Sequence, residues 1–355
     1  MKRILILFLS LLLTIAATGC SPRRRKQSGT PEDTPADSNE NPFQTGDDLS
    51  AGIDSIGHDA VNPNRDKDGK KLPFEYNGGE ISIPYEVHAS GKTKEIGFLL
   101  YIDGIAQPYK VDGSDAAYEY MHIFNLKEND KEHPFTFIFE PVTGKKGDTH
   151  SMSVVSVYAP SFMPDMKKTS GYGMYHSTLL SDYELHFNQD AKGKDASAMP
   201  KYPYLKNVKQ STEPITQDYL DSLSAFSGMV PITLELLNKE VFSQQFLNGQ
   251  GGLIDNLKVN EDGTLHVTFK IMGYPGARYK STFYINHKAI TDGKNTSFET
   301  VLTKGNVSVI EADLELSQLE DFNTFYVVSA LCNVQELWED GTSLLKTPSV
   351  LLYKK

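Results

Sequence analysis

The chain has almost no cysteine. Of 355 residues only Cys20 and Cys332 are cysteines, which leaves no internal disulfide available if Cys20 is modified. Cys332 lies in a strand-like run, FYVVSALCNV, with no nearby base. A cysteine in that setting is a small core residue and not a nucleophile.

Common catalytic signatures are also missing. The sequence contains no HExxH, no GxSxG, no P-loop and no dinucleotide-binding fingerprint. The nine histidines are scattered, and zinc sites need convergent His or Cys ligands. Carboxylates are plentiful, but the pattern singles out no pair for glycoside hydrolysis. The sequence therefore predicts a protein that is not an enzyme.

Basic residues are fewer than acidic ones. The 35 Lys and Arg residues face 46 Asp and Glu residues, and the formal net charge is −11. It becomes two charges more negative if Lys2 and Arg3 leave with a signal peptide. This balance excludes nucleic acid as the expected partner. A hydrophobic content of 39% over this length predicts two domains with real cores.

The apolar run at the start of the chain, Ile4 to Ala17, is too short to span a membrane, which takes about 20 apolar residues. It follows Lys2 and Arg3 and leads into small residues and Cys20. This is the layout of a secretory signal. The segment 1–20 is therefore predicted to be a signal peptide.

The last four residues of this segment, Ala17-Thr18-Gly19-Cys20, resemble the lipobox of bacterial lipoproteins. The resemblance implies that Cys20 is diacylated and becomes the mature N-terminus. The protein would then be anchored in the cell membrane by lipid, including palmitate, and would face the extracytoplasmic side. An ordinary signal peptide with a chance cysteine is the alternative.

The segment 21–71 is predicted to be a flexible, disordered tether. It begins with a basic quartet, residues 23–26, and continues with polar and small residues that cannot offset their ordering entropy by burial. A loose chain of this length spans roughly 40 Å. The basic quartet would lie at anionic lipid head groups, or would simply follow the signal without specific contacts.

A possible calcium loop lies at the end of this tether. Its oxygen ligands would be four side chains with EF-hand-like spacing: Asn64, Asp66, Asp68 and Glu75. Pro73 opposes the exiting helix of a true EF-hand, and no entering helix precedes the loop. Clusters of Asp, Asn and Gly are more often polar turns. Calcium is the one cofactor that the sequence suggests.

Alternating apolar residues predict antiparallel β-strands from Leu72 onward. The segment Gly78–Gly104 shares this pattern with the segment Asp262–His287. A Val-Val-Ser run also recurs, at residues 154–156 and 327–329. Matching elements in the same order indicate an internal duplication, although two unrelated β-domains would also alternate.

The predicted fold is all-β, with two tandem antiparallel sandwiches after the tether. Short strands with turn signals about every ten residues resemble the immunoglobulin-like class. The predicted first sandwich covers residues 72–188 and the second covers 229–355. Between them, residues 189–228 form a connecting segment with one short helix, from Thr216 to Phe226.

Four tyrosines near this connection are candidate ligand-binding aromatics: Tyr172, Tyr175, Tyr202 and Tyr204. Exposed tyrosines stack on sugar faces or anchor protein interfaces. Tyrosines that merely cover the end of a sandwich are the alternative.

The predicted function is that of a non-catalytic binding or scaffold lipoprotein at the cell envelope. Its expected partner is an envelope protein or a cell-wall glycan. Two alternatives remain: a solute- or glycan-binding lipoprotein that serves a transporter, and a glycan-active enzyme.

Overall fold

The computed structural model describes residues 55–90, 95–113, 115–126, 131–163, 172–174, 176–193, 199, 201–227, 231–239, 243–248, 254–333, 337 and 343–354. The predicted signal peptide, Cys20 and the predicted tether up to residue 54 lie outside these ranges. No helix within them has the length and apolar character needed to cross a bilayer.

The first half of the described chain forms a sandwich of two sheets, which we call sandwich one. Its strands are β1 (Ser55–Ala60), β2 (Phe74–Tyr76), β3 (Ile81–Ser90), β4 (Glu95–Ile102), β5 (Ile105–Ala106), β6 (Lys110–Val111), β7 (His122–Asn125), β8 (His133–Phe139), β9 (Thr149–Tyr158) and β10 (Thr178–Phe187). The back sheet has the order β1-β3-β8-β6, and the front sheet has the order β2-β10-β9-β4-β5 with β7 beside β4.

The second half forms sandwich two. Its strands are β11 (Leu205–Pro214), β12 (Ser243–Leu247), β13 (Asn256–Lys258), β14 (Thr264–Gly273), β15 (Arg278–Ile285), β16 (Lys288–Ala289), β17 (Phe298–Val301), β18 (Asn306–Glu315), β19 (Phe322–Leu331), β20 (Leu344–Lys346) and β21 (Val350–Tyr353). The back sheet is β11-β18-β14-β12, and the front sheet is β13-β21-β19-β15-β16 with β17 and β20 attached.

Both sandwiches are immunoglobulin-like. In sandwich one the back sheet follows the A-B-E-D order of that class, and the front sheet follows the G-F-C order with an added C′ strand. In each sandwich a short strand pairs in parallel with the last strand, β2 with β10 and β13 with β21. The predicted fold class is therefore confirmed.

The repeated sequence elements form equivalent strands. The alternating runs that begin at Gly78 and Asp262 become β3 and β14, which hold the same place in their back sheets. The two Val-Val-Ser runs lie in β9 and β19, at the centre of the front sheets. Sequence alternation also places the cores correctly, since Ile83, Tyr85 and Val87 all point into the core of sandwich one.

The turn at residues 77–79 is not the hairpin that its Asn-Gly-Gly sequence suggests. Gly78 and Gly79 do adopt positive φ angles of 95° and 72°. However, β2 pairs with β10, while β3 pairs with β1 and β8, so the turn carries the chain from the front sheet to the back sheet. Turn chemistry predicted the bend, but it could not predict the pairing partner.

The predicted tether ends too late. β1 lies inside the segment 21–71 and pairs antiparallel with β3 over its whole length. The Asp59 carboxylate accepts a hydrogen bond from Lys71 Nζ at 2.7 Å and another from the Tyr183 hydroxyl on β10. Residues 55–71 therefore belong to sandwich one, because long-range pairing supplies the stabilisation that their own composition lacks.

The predicted start of the second sandwich at residue 229 is also wrong. β11 lies in the predicted connecting segment and pairs with β18 over nearly its whole length, at the back-sheet edge where β6 lies in sandwich one. The predicted helix is confirmed as α1, Gln217–Ser227, and Thr216 Oγ1 caps it by accepting from Tyr219 N. A second helix follows, α2 at Leu234–Lys239.

The two helices cover one end of the second back sheet. Apolar side chains of α1 and α2 pack with residues of β12, β14 and β18 in a separate cluster. A polar contact fixes α1 in place, since Lys270 Nζ on β14 donates to Glu213 at 2.6 Å and to the Tyr219 hydroxyl. The outer face of this back sheet is therefore partly covered by the chain itself.

Candidate functional site at the interface between the sandwiches

The front sheets of the two sandwiches pack against each other. Strand β4 is buried on both faces: Phe98 and Leu100 point into the core of sandwich one, while Leu99 and Tyr101 join an apolar cluster with sandwich two. That cluster contains Leu99, Tyr101, Ala106, Met121, Val155, Val157, Tyr284, Ala289, Tyr326, Val328, Ala330 and Leu344. Two-sided burial in an antiparallel sheet marks this face as an interface.

The interface is pseudo-symmetric. Tyr101 on β4 and Tyr284 on β15 occupy equivalent positions, since each lies opposite the alanine of the following short strand. The Tyr101 hydroxyl donates to the Tyr284 hydroxyl over 2.7 Å. Contacts between equivalent residues are the signature of a two-fold interface. The two copies therefore meet as the subunits of a homodimer would.

The equivalent front-sheet turns lie at opposite ends of this interface. The turn of sandwich one contains Asp103 and Gly104, and a Cβ on Gly104 would lie 3.1 Å from Ala330 Cβ and 3.3 Å from Cys332 Sγ of sandwich two. The matching turn of sandwich two contains Asn286 and His287. His287 Nε2 donates to the Pro160 carbonyl of sandwich one over 2.8 Å.

Polar contacts fix the relative position of the two sandwiches. Lys280 Nζ donates to Asp103 Oδ2 over 2.7 Å and to the Asp103 carbonyl over 2.8 Å. Asp182 Oδ1 accepts from Ser153 Oγ within sandwich one and from Ser343 Oγ of sandwich two, at 2.6 and 2.7 Å. Directional bonds among apolar contacts specify one docked arrangement.

The segment before β10 extends onto sandwich two. It includes a short 3₁₀ helix, Tyr172–Met174. The Tyr172 hydroxyl bonds to Thr324 Oγ1 over 2.6 Å, and Gly173 N donates to Asp255 Oδ1 over 3.1 Å. His176, at the end of this segment, is buried with Nδ1 2.9 Å from Ser349 Oγ. Sandwich one therefore holds sandwich two by a loop as well as by a sheet.

A half-buried lysine adjoins this loop. Lys346 Nζ donates to the Thr347 carbonyl and to Ser349 Oγ, and lies 4.5 Å from the centroid of the Tyr326 ring. Burial of the ammonium group lowers the pKa of Lys346 from 10.5 to about 7. The protonated form of this lysine therefore destabilises the folded state.

We expect Lys346→Met to stabilise the protein at pH 7 by about 1–2 kcal/mol, a value discounted for partial exposure. The unfolded lysine keeps its proton up to pH 10.5, whereas the folded one loses it above about pH 7. Stability of the wild type therefore rises with pH across that window, and the advantage of the variant shrinks toward pH 10. Denaturant unfolding at pH 7 and pH 10 measures both effects. Lys206→Met, at an exposed site on β11, is the matched control, and an equal difference at both pH values would contradict this account.

One serine–lysine spacing in this region has the form of a catalytic motif. Ser343 and Lys346 are three residues apart, as in the S-x-x-K motif of some acyl-enzymes. The extended backbone separates their contacts: Ser343 bonds to Asp182, while Lys346 bonds to Ser349. The spacing therefore does not form a nucleophile–base pair here.

The candidate tyrosines do not form one exposed cluster. Tyr172 is 0% exposed, so its ring has no face to offer a ligand. Tyr202 and Tyr204 are half-buried against the core of sandwich two, with ring centroids 6.1 Å apart and Lys288 Nζ 5.3 Å from the Tyr202 ring centroid. Tyr175 lies outside the described residues. The tyrosines that the sequence suggested as a ligand-binding group therefore serve mainly to pack the fold, as far as the structure describes them.

The calcium-like loop folds as a tight polar turn. Asp66 Oδ1 accepts from the backbone N–H groups of Asp68 and Lys70, both at 2.9 Å. Glu75 lies on β2 and accepts from Asn188 Nδ2 at 2.8 Å. In the described part of the chain, no three His, Cys, Asp or Glu side chains converge as metal ligands would. Calcium binding by Asn64 and its neighbours stays a prediction.

Motif reasoning missed the interface residues. The available signal was the run of apolar residues on both faces of the same strands, as in GFLLYI of β4 and FYVVSAL of β19. Strict alternation would have left every second position polar. His176 and His287 gave no signal, since nothing in the sequence relates two histidines more than 100 residues apart.

Comparisons with known proteins give similarity to solved structures alone. No family model and no curated protein matches the chain. The chain is similar to a chimeric titin Z1Z2-Z1Z2 tandem, with 10% identity, coverage of 80% of this chain and 94% of that one, and a TM-score of 0.18. It is also similar to the Ig1-2 module of the Drosophila receptor protein tyrosine phosphatase DLAR, with 13% identity, coverage of 86% and 100%, and a TM-score of 0.19.

A third similar structure is the C-terminal domain of the Streptococcus agalactiae AgI/II polypeptide BspA. It shares 8% identity, with coverage of 84% of this chain and 100% of that chain, and a TM-score of 0.19. TM-scores this low do not measure a common arrangement of the two sandwiches. The fold assignment therefore rests on the strand order described above.

Proposed function

We propose that this chain is a lipid-anchored protein of the bacterial cell envelope, facing the extracytoplasmic side, and that it acts as a non-catalytic binding or scaffold module. The anchor is Cys20, supported by the lipobox-like sequence that ends there. The tether is residues 21–54, which would span roughly 30 Å as a loose chain. The expected partner is an envelope protein or a cell-wall glycan.

The observation that carries the binding role is the mutual burial of the two front sheets. Each sandwich uses this sheet to hold the other, through one apolar cluster and directional bonds such as Tyr101–Tyr284. A partner therefore meets the outer faces of the back sheets or the loops at the sandwich ends. Exposed polar residues such as Ser82 on β3 and Lys209 on β11 lie on the back sheets.

Site-specific photocrosslinking in membranes tests this proposal. A photoreactive residue at Ser82 or Lys209 is expected to give a reproducible adduct with a macromolecule of the envelope. The same residue at Val328, which is buried between the sandwiches, is the control and should give only intramolecular products. The proposal fails if no exposed site yields an adduct and a small solute alone produces a large, saturable rise in melting temperature.

A further inference from the structure

Three basic side chains meet at one end of the interface. His176 belongs to sandwich one, and His287 and Lys346 belong to sandwich two. The two imidazole rings pack edge-on, with centroids 5.6 Å apart and an interplanar angle of 83°. Ser349 links His176 to Lys346, because its Oγ lies 2.9 Å from His176 Nδ1 and 3.1 Å from Lys346 Nζ. The cluster therefore exists only while the sandwiches are docked.

The hydrogen bonds of His287 fix it as a neutral imidazole. Its Nε2 donates to the Pro160 carbonyl, which can only accept. Its Nδ1 then accepts from the Tyr326 hydroxyl, 3.0 Å away. A second proton on Nδ1 would break this bond and place a charge in a partly buried site. Burial lowers the pKa of His287 from 6.5 to about 4.

The surroundings of His176 also suit a neutral imidazole. Ser349 Oγ accepts from Lys346, so its own O–H is free to donate to Nδ1 of His176. Nε2 is buried, and no described group accepts from it in good geometry. Burial, followed by repulsion from Lys346 and His287, lowers the pKa of His176 to about 3.

In the part of the chain that the structure describes, no carboxylate bonds to these three basic groups. Among the described residues, the hydrogen-bond partners of the three basic groups are hydroxyl and carbonyl oxygens and include no carboxylate. The other titratable side chains in contact are Tyr172 and Tyr326. Asp255 bonds instead to Gly173 N. Asp103 is paired with Lys280, and Asp182 with Ser153 and Ser343.

Both histidines hold left-handed backbone conformations, with φ of 59° at His176 and 62° at His287. The position equivalent to His287 in sandwich one is Gly104, the residue type that adopts this conformation without steric cost. The chain therefore carries imidazoles at two positions where backbone geometry alone favours glycine.

We infer that this cluster makes the docking of the two sandwiches sensitive to protons, so that mild acid separates them while each stays folded. Protonated His176 and His287 would repel each other and Lys346, and undocking would give these charges fuller access to water. Separation would uncover both front sheets, including the apolar faces around Tyr101 and Tyr284. The inference concerns docking and goes beyond the proposed function, because it needs neither the lipid nor the external partner.

The expected effect of pH on the docking equilibrium follows from proton linkage. Undocked histidines titrate near pH 6.5, and docked ones only below about pH 4. Undocking well below pH 6.5 therefore takes up close to two protons, and the docking equilibrium weakens by up to about 100-fold per pH unit. Between pH 6.5 and 4.5 it weakens about 2,000-fold, because each undocked imidazole is already half protonated at pH 6.5. Lys346 is already charged between pH 6.5 and 4.5. It therefore adds repulsion but does not change how steeply the docking equilibrium depends on pH.

Small-angle scattering of the fragment Ser21–Lys355 between pH 7.5 and 4.5 tests this inference. We expect the radius of gyration to rise as the pH falls. The protection of backbone amides in β3 and β14 against hydrogen exchange, relative to the intrinsic rate at each pH, should stay high. The variant His176→Gln/His287→Gln is expected to stay compact down to pH 4.5. His88→Gln, at an exposed site on β3, is the matched control and should open like the wild type.

Several outcomes would overturn the inference. A radius of gyration that stays constant to pH 4.5 is one, and opening of the double variant at the wild-type pH is another. His58 lies inside sandwich one, and burial lowers its pKa to about 4, so acid also weakens that fold. Loss of β3 protection at the pH of expansion would therefore mean unfolding and not undocking. If the double variant does not fold at pH 7.5, His287→Gln alone should reduce the slope to about tenfold per pH unit.

Discussion

Val328→Asp is expected to separate the two sandwiches without unfolding either one. Val328 is 0% exposed, and its side chain lies in the apolar cluster between the sandwiches. Its neighbour Val327 points the other way, into the core of sandwich two. An ionised carboxylate buried at this position costs several kcal/mol, which undocking relieves by giving the charge to water. Its cross-strand neighbour Lys346 already bonds to the Thr347 carbonyl and to Ser349 Oγ, so those two bonds would have to break before it could pair with the new carboxylate. Scattering at pH 7.5 should show an extended molecule, and calorimetry should show two transitions.

Val301→Asp is the matched control, because Val301 is 49% exposed on β17 of the same front sheet. Surface substitutions of this kind change stability by about 0.5 kcal/mol or less. This variant should therefore keep the compact scattering curve and the melting profile of the wild type. Complete unfolding of Val328→Asp, or an unchanged radius of gyration, would show that the interface does not have the role assigned to it.

Cys20→Ala is expected to move the protein from the membrane fraction to the soluble fraction or to leave an unprocessed precursor. Each buried methylene of an acyl chain contributes about 0.8 kcal/mol to membrane binding, so loss of the lipid should abolish stable anchoring. Fractionation and mass spectrometry of the mature N-terminus measure the two results. Cys332→Ala is the control and should stay on the membrane, because that thiol lies far along the chain in sandwich two. An unchanged mass and unchanged fractionation for Cys20→Ala would rule out lipidation.

Strands with a strong period of two could be predicted from the sequence, because one face of each is buried in its own sandwich. Ile81, Ile83 and Tyr85 show this pattern, and they form β3 as expected. The interface could not be derived in the same way. Period two reports that a strand is buried on one face, but it does not identify what covers the second face.

β1 and β11 escaped prediction for a different reason. β11 has the sequence LKNVKQSTEP, and most of its side chains are exposed, so it has almost no hydrophobic pattern. It is a strand because β18 supplies a ladder of backbone partners. Pairing with β3 and the Asp59–Lys71 contact do the same for β1. Tertiary contacts override local propensity most easily at sheet edges.

The candidate site was predicted least well. Tyrosines attracted attention because aromatic side chains are common in binding sites, but Tyr172 serves as a buried link between the sandwiches. The histidines that define the basic cluster are 111 positions apart in the numbering, at His176 and His287. Their contact depends on how two sandwiches dock, which is a property of the complete fold.

The pseudo-symmetric meeting of Tyr101 and Tyr284 has an evolutionary consequence. A single ancestral sandwich that paired with itself through its front sheet would have placed two copies of one tyrosine at the axis, as these two are placed now. Joining two such copies in one gene would replace bimolecular association by an effective concentration in the millimolar range. Two halves of one chain can then differ, and here the equivalent turns carry Gly104 in one and His287 in the other.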